Sequence, residues 1–383
     1  MNSLKNLFKN KSKESYFIAD IAANHNGSIN KAKELIHAAA ENGANAAKFQ
    51  NFKAETIVSD KGFKELGKSL SHQKNWKKSV FKTYQSAELP IEWTEILKYE
   101  CEKHNIEFFT ASYDLKFTKF FRDYTEVMKI GSGEITWLNH LKLISSLYPY
   151  VLIATGASTL EEVKLAMSFF SNNNTVIMQC NTNYTASLNE SKEQANKRFK
   201  CINLNVLEIF KKKFPKSILG LSDHTLGYMT VLTAVGLFDC KVIEKHFTLD
   251  NNDNGPDHAF SMNPKSWKEM IFETRELEKL QKSRSNLLNF LIEKFGKENI
   301  NSCLGDGKKK IEDNEKETVR IQRRGLYAKK NITKGSKIRQ EDIIALRPHI
   351  KNTFGADQEN NILNKIATQN IMKDDSIKLE DVN

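Results

Sequence analysis

The chain has 383 residues and a formal net charge of +11, a length that suits one large domain followed by a small one. Lysine is spread along the whole chain and forms no clustered stripe, which argues against a nucleic-acid surface and for a pocket that takes an anionic small molecule. No apolar run reaches about eighteen residues, the opening MNSLKNLFKNKSKES has no apolar signal core, and five scattered cysteines show no CxxC spacing, so the pattern excludes a membrane span and points to a reducing, cytoplasmic setting. In chain order, residues 16–22 read as an apolar strand ending near Asp20, and Asn24-His25-Asn26-Gly27 reads as a turn. A helix is expected over 30–42, with Ala32, Leu35, Ile36 and Ala39 on one face and Gly43 after its end. A second strand, 44–50, ends in Lys48 and Gln50. The stretch to Leu89 is polar, carries Trp76 and Tyr84, and is too long for an ordinary loop, so it reads as a lid or substrate loop. Strand–helix alternation then becomes regular: strand 106–110 and helix 114–123, strand 127–130 and helix 137–146, strand 151–155 and helix 159–170. Strand 175–179 and a helix near 200–212 follow, then strand 217–221, helix 228–237, strand 241–243 and helix 265–280.

Eight strand–helix units in about 270 residues match an α/β fold of the (β/α)8 TIM-barrel type. The competitor is a doubly wound sheet, but no GxGxxG follows the first strand. Polar residues also end every strand: Asp20, Lys48, Thr110, Lys129, Thr155, Asn181, Ser222 and Glu244. An open sheet needs such residues only at its switch point. The barrel domain is expected over 1–285. An extra amphipathic helix and a charged linker follow over 286–318, and a compact small domain over 319–383.

The strand ends face one mouth, where active sites of such barrels lie. His224, in Ser222-Asp223-His224-Thr225, and His246, in Glu244-Lys245-His246, then stand at neighbouring strand ends. Two neutral imidazoles there bind a divalent metal, or each is a core histidine bonded to backbone. Lys48 and Lys129, with Thr110, Ser132 and Thr155 beside them, hold a phosphate, or pair with buried carboxylates. Asp20, Glu134, Glu244 and Asp257 supply acid, base or ligand-orienting groups. Tyr184 is core packing or a phosphate contact. A metal next to a phosphate-holding pair suggests carbonyl chemistry with an enol phosphate as carbon nucleophile.

Several stretches resemble the sialic acid synthase family, whose members condense phosphoenolpyruvate with an N-acetylated amino sugar. They are IADIAANHNGS (18–28), GANAAKFQNFKAE (43–55), FFTASYD (108–114), KIGSGEI (129–135), ATGAS (154–158), LGLSDHT (219–225), VIEKHFTLD (242–250) and GPDHAFSMNP (255–264). RRGLYAKKNITKG (323–335) and LRP (346–348) resemble the antifreeze-like (SAF) domain that these synthases carry. The resemblance implies His224 and His246 as ligands of Mn2+ or Mg2+. It implies Lys48, Thr110, Lys129, Ser132, Thr155, Thr182 and Tyr184 around phosphoenolpyruvate. Gln50, Glu134 and Asp257 are implied at the sugar, and Glu244, with Glu134 and Asp20, as catalytic carboxylates. Arg347 is implied to reach the sugar of the partner subunit in a domain-swapped homodimer.

The sequence departs from the family at Asp20, where a Glu is common, at Ala154, where some members carry Ser, and at Thr182, often Asn or Ser. Asn364 replaces a common Gly, and residues 282–303 are inserted. The expected product is a nine-carbon 2-keto acid, N-acetylneuraminate or a legionaminic or pseudaminic analogue. The alternatives are a synthase acting on a phosphorylated aldose and a non-catalytic sugar- or ice-binding protein.

Overall fold

The structure is a computed structural model, and it describes residues 3–9, 12–67, 70–171, 174–280 and 283–383. Eight parallel strands form a closed barrel in sequential order. They are β1 (Tyr16–Asp20), β2 (Ala46–Asn51), β3 (Glu107–Ser112), β4 (Val127–Ile130), β5 (Tyr150–Ala154), β6 (Thr175–Cys180), β7 (Ile218–Asp223) and β8 (Val242–His246). Closure is made by β8 on β1, in the register Tyr16↔Val242 through Asp20↔His246.

Side chains alternate along each strand between the barrel interior and the helix layer. Ile18, Ala46, Phe109, Val127, Leu152, Val176, Met178 and Val242 pack together inside the barrel. The short helix Leu4–Phe8 covers that end, adding Leu4 and Leu7 to the same cluster. The other phase of the strands, including Phe17, Ala47, Phe49, Met128, Ile153 and Ile243, packs outward into the larger core under the helices. Burial on both faces explains why these strands read as apolar runs without alternation.

Helix Ile29–Glu41 forms where its apolar face predicts it, and the Ser28 side chain caps it by accepting from Lys31 N. The excursion after β2 is a series of short helices, Ala54–Ile57, Asp60–Glu65 and Val80–Ser86. Helix Thr94–Lys103 has no sequence-level assignment, because its buried stripe is only Thr94, Leu97 and Cys101. The helix expected near 200–212 is two helices, Lys192–Phe199 and Val206–Lys213. They are separated by a turn in which Asn203 takes a left-handed φ of 54°.

Helices Arg284–Phe295 and Lys297–Leu304 occupy the inserted segment, residue 282 lying outside the described residues. They are not a free extension: Leu291, Ile300 and Cys303 belong to the barrel's core. The charged stretch 305–318 is also bound to the barrel. Asn203 Nδ2 donates to Asp306 Oδ1 at 2.9 Å, Lys308 O at 3.1 Å and Glu312 Oε1 at 2.9 Å. Helix Lys316–Gln322 then leads into the small domain.

The small domain pairs β9 (Gly325–Ala328) with β10 (Ile343–Leu346) antiparallel. Its core holds Leu326, Ile332, Ile338, Ile362, Ile371 and Ile377, together with Trp137 of the barrel. Asn364 stands at φ 68°, a conformation open to Gly and tolerated by Asn, which accounts for the exchange. The domain docks on the β2–β3 excursion. Arg347 N donates to Ile57 O at 2.8 Å, and Ser59 N to Arg347 O at 2.7 Å.

Candidate active site

Register places the polar residues of the mouth in one layer. Asp20 lies opposite Lys48 on one side and His246 on the other, and Ser222 lies opposite Glu244. The side chains complete this layer. Lys48 Nζ is 2.6 Å from Asp20 Oδ2 and 3.6 Å from Glu244 Oε1. Lys129 Nζ donates to Glu244 Oε1 at 2.7 Å, and Ser222 Oγ donates to the same oxygen at 3.0 Å. Gln50 Nε2 donates to Asp20 Oδ2 at 3.1 Å.

All four charged groups are buried, so each depends on the others for its charge. Burial pushes Asp20 up, but Lys48 and His246 override it and bring its carboxyl down to about 2. Burial likewise raises Glu244, and Lys129 and Lys48 bring it below the ordinary carboxylate range. Asp257 goes the other way: burial raises it, and its carboxylate accepts from Ala23 N at 3.2 Å.

The two histidines face each other with ring centroids 5.4 Å apart. His224 Nδ1 lies 2.9 Å from Asn181 O. An N–H given to that carbonyl leaves Nε2 with the lone pair. Burial, and then His246, lower His224 to about 3, so its ring is neutral near pH 7. His246 Nε2 is 3.5 Å from Asp20 Oδ2, and its buried Nδ1 has no hydrogen-bond partner among the described residues. Tyr184 packs edge-on to His224 at 4.4 Å and lies 5.4 Å from Phe260.

A cavity opens above this layer. Its walls include Gln50, Ser132, Tyr184, His246, Asp257 and Arg347. The β2–β3 excursion adds Phe52, His72, Trp76 and Tyr84, an aromatic wall consistent with the lid expected there. Arg347 comes from the small domain of the same chain. Its guanidinium pairs with Glu134 Oε1 and donates to Tyr84 Oη at 3.2 Å.

Residues 35–286 match the NeuB family and residues 323–383 match the SAF domain. The chain belongs to the NeuB family. It is 34% identical over 372 residues to the N,N'-diacetyllegionaminic acid synthase of Campylobacter jejuni, across 96% of this chain and 99% of that protein. It is 32% identical over 343 residues to the enzyme of the same name from Legionella pneumophila, across 87% and 85% of the two chains. Among solved structures it resembles the spore coat polysaccharide biosynthesis protein spsE of Bacillus subtilis, with a TM-score of 0.74 and 26% identity. That likeness spans 97% of this chain and 95% of the other.

Within this NeuB-family barrel, Asp20, Lys48, Lys129, Glu244, His224 and His246 come together at one mouth, with Gln50, Ser132, Tyr184 and Asp257 around them. Thr110, Thr155 and Thr182 are not in the cavity lining among the described residues, nor are the buried Asp20, Lys48, Lys129, His224 and Glu244. Thr110 Oγ1 donates to Asn51 Oδ1 at 2.6 Å and Phe49 O at 3.0 Å. Thr155 Oγ1 donates to Met178 O at 2.9 Å. Both hydroxyls serve neighbouring strands. Thr182 Oγ1 is likewise engaged, by Glu315 at 3.0 Å.

Both Glu134 carboxylate oxygens are held by guanidinium groups. Arg324 Nε holds its Oε2 at 2.6 Å and Arg347 holds Oε1, with only 1% of the residue exposed. Burial raises its carboxyl, and Arg324 and Arg347 more than reverse that. Arg347 was expected over the partner's site, but in this chain it lies over its own mouth. Gly133 permits the approach, since a Cβ on it would stand 2.8 Å from Arg347 Nη2 and 2.9 Å from Gln322 O.

Two buried charged residues next to the site have no role in the sequence reading. Arg324 is buried, stacks over Trp137 at 4.2 Å, and donates to Thr56 O, Ala345 O and Tyr113 O. The RRGLY stretch contains it, but the motif alone does not show which barrel carboxylate it meets. Glu315 is the second.

Proposed function

We propose that the protein condenses phosphoenolpyruvate with the open-chain form of an N-acetylated amino sugar, giving a nine-carbon 2-keto acid and phosphate. The observation that carries this reading is the buried layer Asp20–Lys48–Glu244–Lys129 beside two facing imidazoles in one mouth. The lysine ammonium groups and the Ser132 hydroxyl offer donors to the phosphate and carboxylate of phosphoenolpyruvate. Gln50, Asp257 and Arg347 line the side left for the sugar. The relatives named for N,N'-diacetyllegionaminic acid support a 2,4-diacetamido hexose over N-acetylmannosamine as acceptor. A phosphorylated aldose is disfavoured: Arg347 is the one arginine lining the cavity among the described residues, and Glu134 holds it. The test is phosphate release that requires both substrates, with diacetamido and monoacetamido acceptors compared side by side. Release with a sugar phosphate alone would reject the reading.

Among the described residues, no three His, Cys, Asp or Glu side chains converge into a closed metal cage. The neutral His224 and His246, whose Nδ1 has no hydrogen-bond partner among the described residues, fit a divalent ion that takes its remaining ligands from water or substrate. Mn2+ or Mg2+ held there would polarise the acceptor's aldehyde oxygen. Glu244 stands ready beside the reacting carbons, with Oε2 buried and without a hydrogen-bond partner among the described residues. Carbon–carbon bond formation from C3 of the enol leaves C2 electron-poor, water adds there, and phosphate leaves with the bridging oxygen. Phosphoenolpyruvate labelled with 18O at that oxygen should therefore deliver the label to phosphate, read by mass spectrometry. Label found in the keto acid would reject this route.

The reading extends to a cytoplasmic homodimer with exchanged small domains. A single chain closes the Arg347–Glu134 contact on itself, and in such a dimer the same surfaces meet between chains. Co-expressed Arg347→Ala and His246→Ala should then recover about a quarter of wild-type activity, for random pairing and independent sites. Activity no higher than that of either variant alone would show that each chain completes its own site. No helix among the described residues is long and apolar enough to cross a membrane.

A further inference from the structure

Glu315 lies in the charged segment that reads from composition as a linker, yet it is 0% exposed. It ends the 3-10 turn Asp313–Glu315. Its Oε1 accepts three hydrogen bonds, from Ala157 N at 2.8 Å, Thr182 N at 2.7 Å and Thr182 Oγ1 at 3.0 Å. Its Oε2 accepts from Glu312 N at 3.1 Å. A buried carboxylate is tolerated only with such partners, and bonds of this kind are stronger than neutral ones.

The donors belong to two loops, one after β5 and one after β6. Ala157 stands at φ 49°, a left-handed conformation that costs a non-glycine residue energy unless its surroundings enforce it. Glu315 holds its N–H, and Arg323 Nη2 holds its carbonyl at 2.8 Å. One residue earlier, Gly156 N donates to Ser132 Oγ at 2.9 Å. The Ser132 hydroxyl, which also hydrogen-bonds the Cys180 thiol, lines the cavity. On the other loop, Tyr184 follows Thr182 by two residues and packs on His224. Asn314 reinforces the link through reciprocal side-chain bonds with Asn181 at 2.9 and 3.0 Å.

We propose that Glu315 is a positioning residue for phosphoenolpyruvate: it clamps the β5 and β6 loops so that Ser132 and Tyr184 face the ligand. The inference rests on the phosphoenolpyruvate chemistry proposed for this mouth. Glu315 acts through these loops and touches no reacting atom.

The experiment uses the full-length, metal-loaded protein with Glu315→Ala and Glu315→Gln, and measures kcat and both KM values by phosphate release. Glu315→Ala should raise KM for phosphoenolpyruvate about tenfold, the size of a lost buried hydrogen-bond partner. KM for the amino sugar should stay at the wild-type value, and kcat should fall by less than KM rises. Glu315→Gln keeps the accepting Oε1 and should lie between wild type and alanine. If the alanine variant does not fold, the glutamine variant alone decides. A wild type that releases no phosphate from phosphoenolpyruvate with any acceptor would sink the proposed function and this inference together. An active wild type whose variants keep its KM for phosphoenolpyruvate would overturn the inference alone. A fall in that KM would also overturn it, showing that the carboxylate competes with the substrate's phosphate.

Discussion

Replacing Glu244 by glutamine should lower kcat by about two orders of magnitude or more, the range expected when a positioned acid or base is lost. The side chain is buried at the end of β8, and its two oxygens have different surroundings. Oε1 takes Lys129, Ser222 and, more loosely, Lys48. Oε2 is buried with no hydrogen-bond partner among the described residues. A buried oxygen left without a partner calls for an explanation, and a reacting ligand next to it supplies one. Lys129 and Lys48 hold the carboxyl below its ordinary range against burial, so it is ionised near pH 7. Its share of the acid limb in kcat/KM should therefore fall below the usual carboxylate range. Glutamine keeps the shape and the bond to Ser222 but removes the charge that Lys129 needs. Asp20 still pairs Lys48, so far-UV circular dichroism should keep the wild-type form. A variant with wild-type kcat would remove Glu244 from the chemistry.

The barrel was legible because each strand is apolar and stops at a polar residue, and this survives without any knowledge of pairing. Which polar residues share the mouth was less legible, because side chains alternate and a slip of one position turns a side chain to the other face. Lys129 lies in register with Ala111, and Thr110 with Met128, so the lysine points inward and the threonine does not. Counting strand ends puts both in the mouth, and only the ladder separates them. The buried contacts that the chain's last third makes with the barrel were illegible for another reason. Glu134 and Arg324 are 190 positions apart, and Glu315 and Thr182 are 133 apart. Composition assigns residues 305–318 to solvent, since a charge that will be buried and one that will stay wet are spelled alike. The fold alone brings those carboxylates to their donors.

Removing divalent metal should abolish activity, and His246→Ala should lower kcat by about three orders of magnitude, the rate equivalent of several kcal/mol of charge stabilisation. Neutral rings are ligands and protonated rings are not, and burial keeps His224 neutral down to about pH 3. Its Nδ1 is engaged by Asn181 O, an outer contact of the kind that orients metal-binding histidines. His246 stands 5.4 Å away, centroid to centroid, at the end of the neighbouring strand and on the cavity wall. Packing against Phe260 at 4.9 Å means that alanine here also removes apolar contact, so activity alone does not isolate the metal. Equilibrium dialysis with Mn2+ does: wild type should bind about one ion per chain and His246→Ala should bind none, both with the same far-UV spectrum. Added Mn2+ or Mg2+ should restore chelator-treated wild type and leave the variant inactive. Full activity in excess chelator, with elemental analysis showing no residual metal, would return both histidines to the role of core residues bonded to backbone.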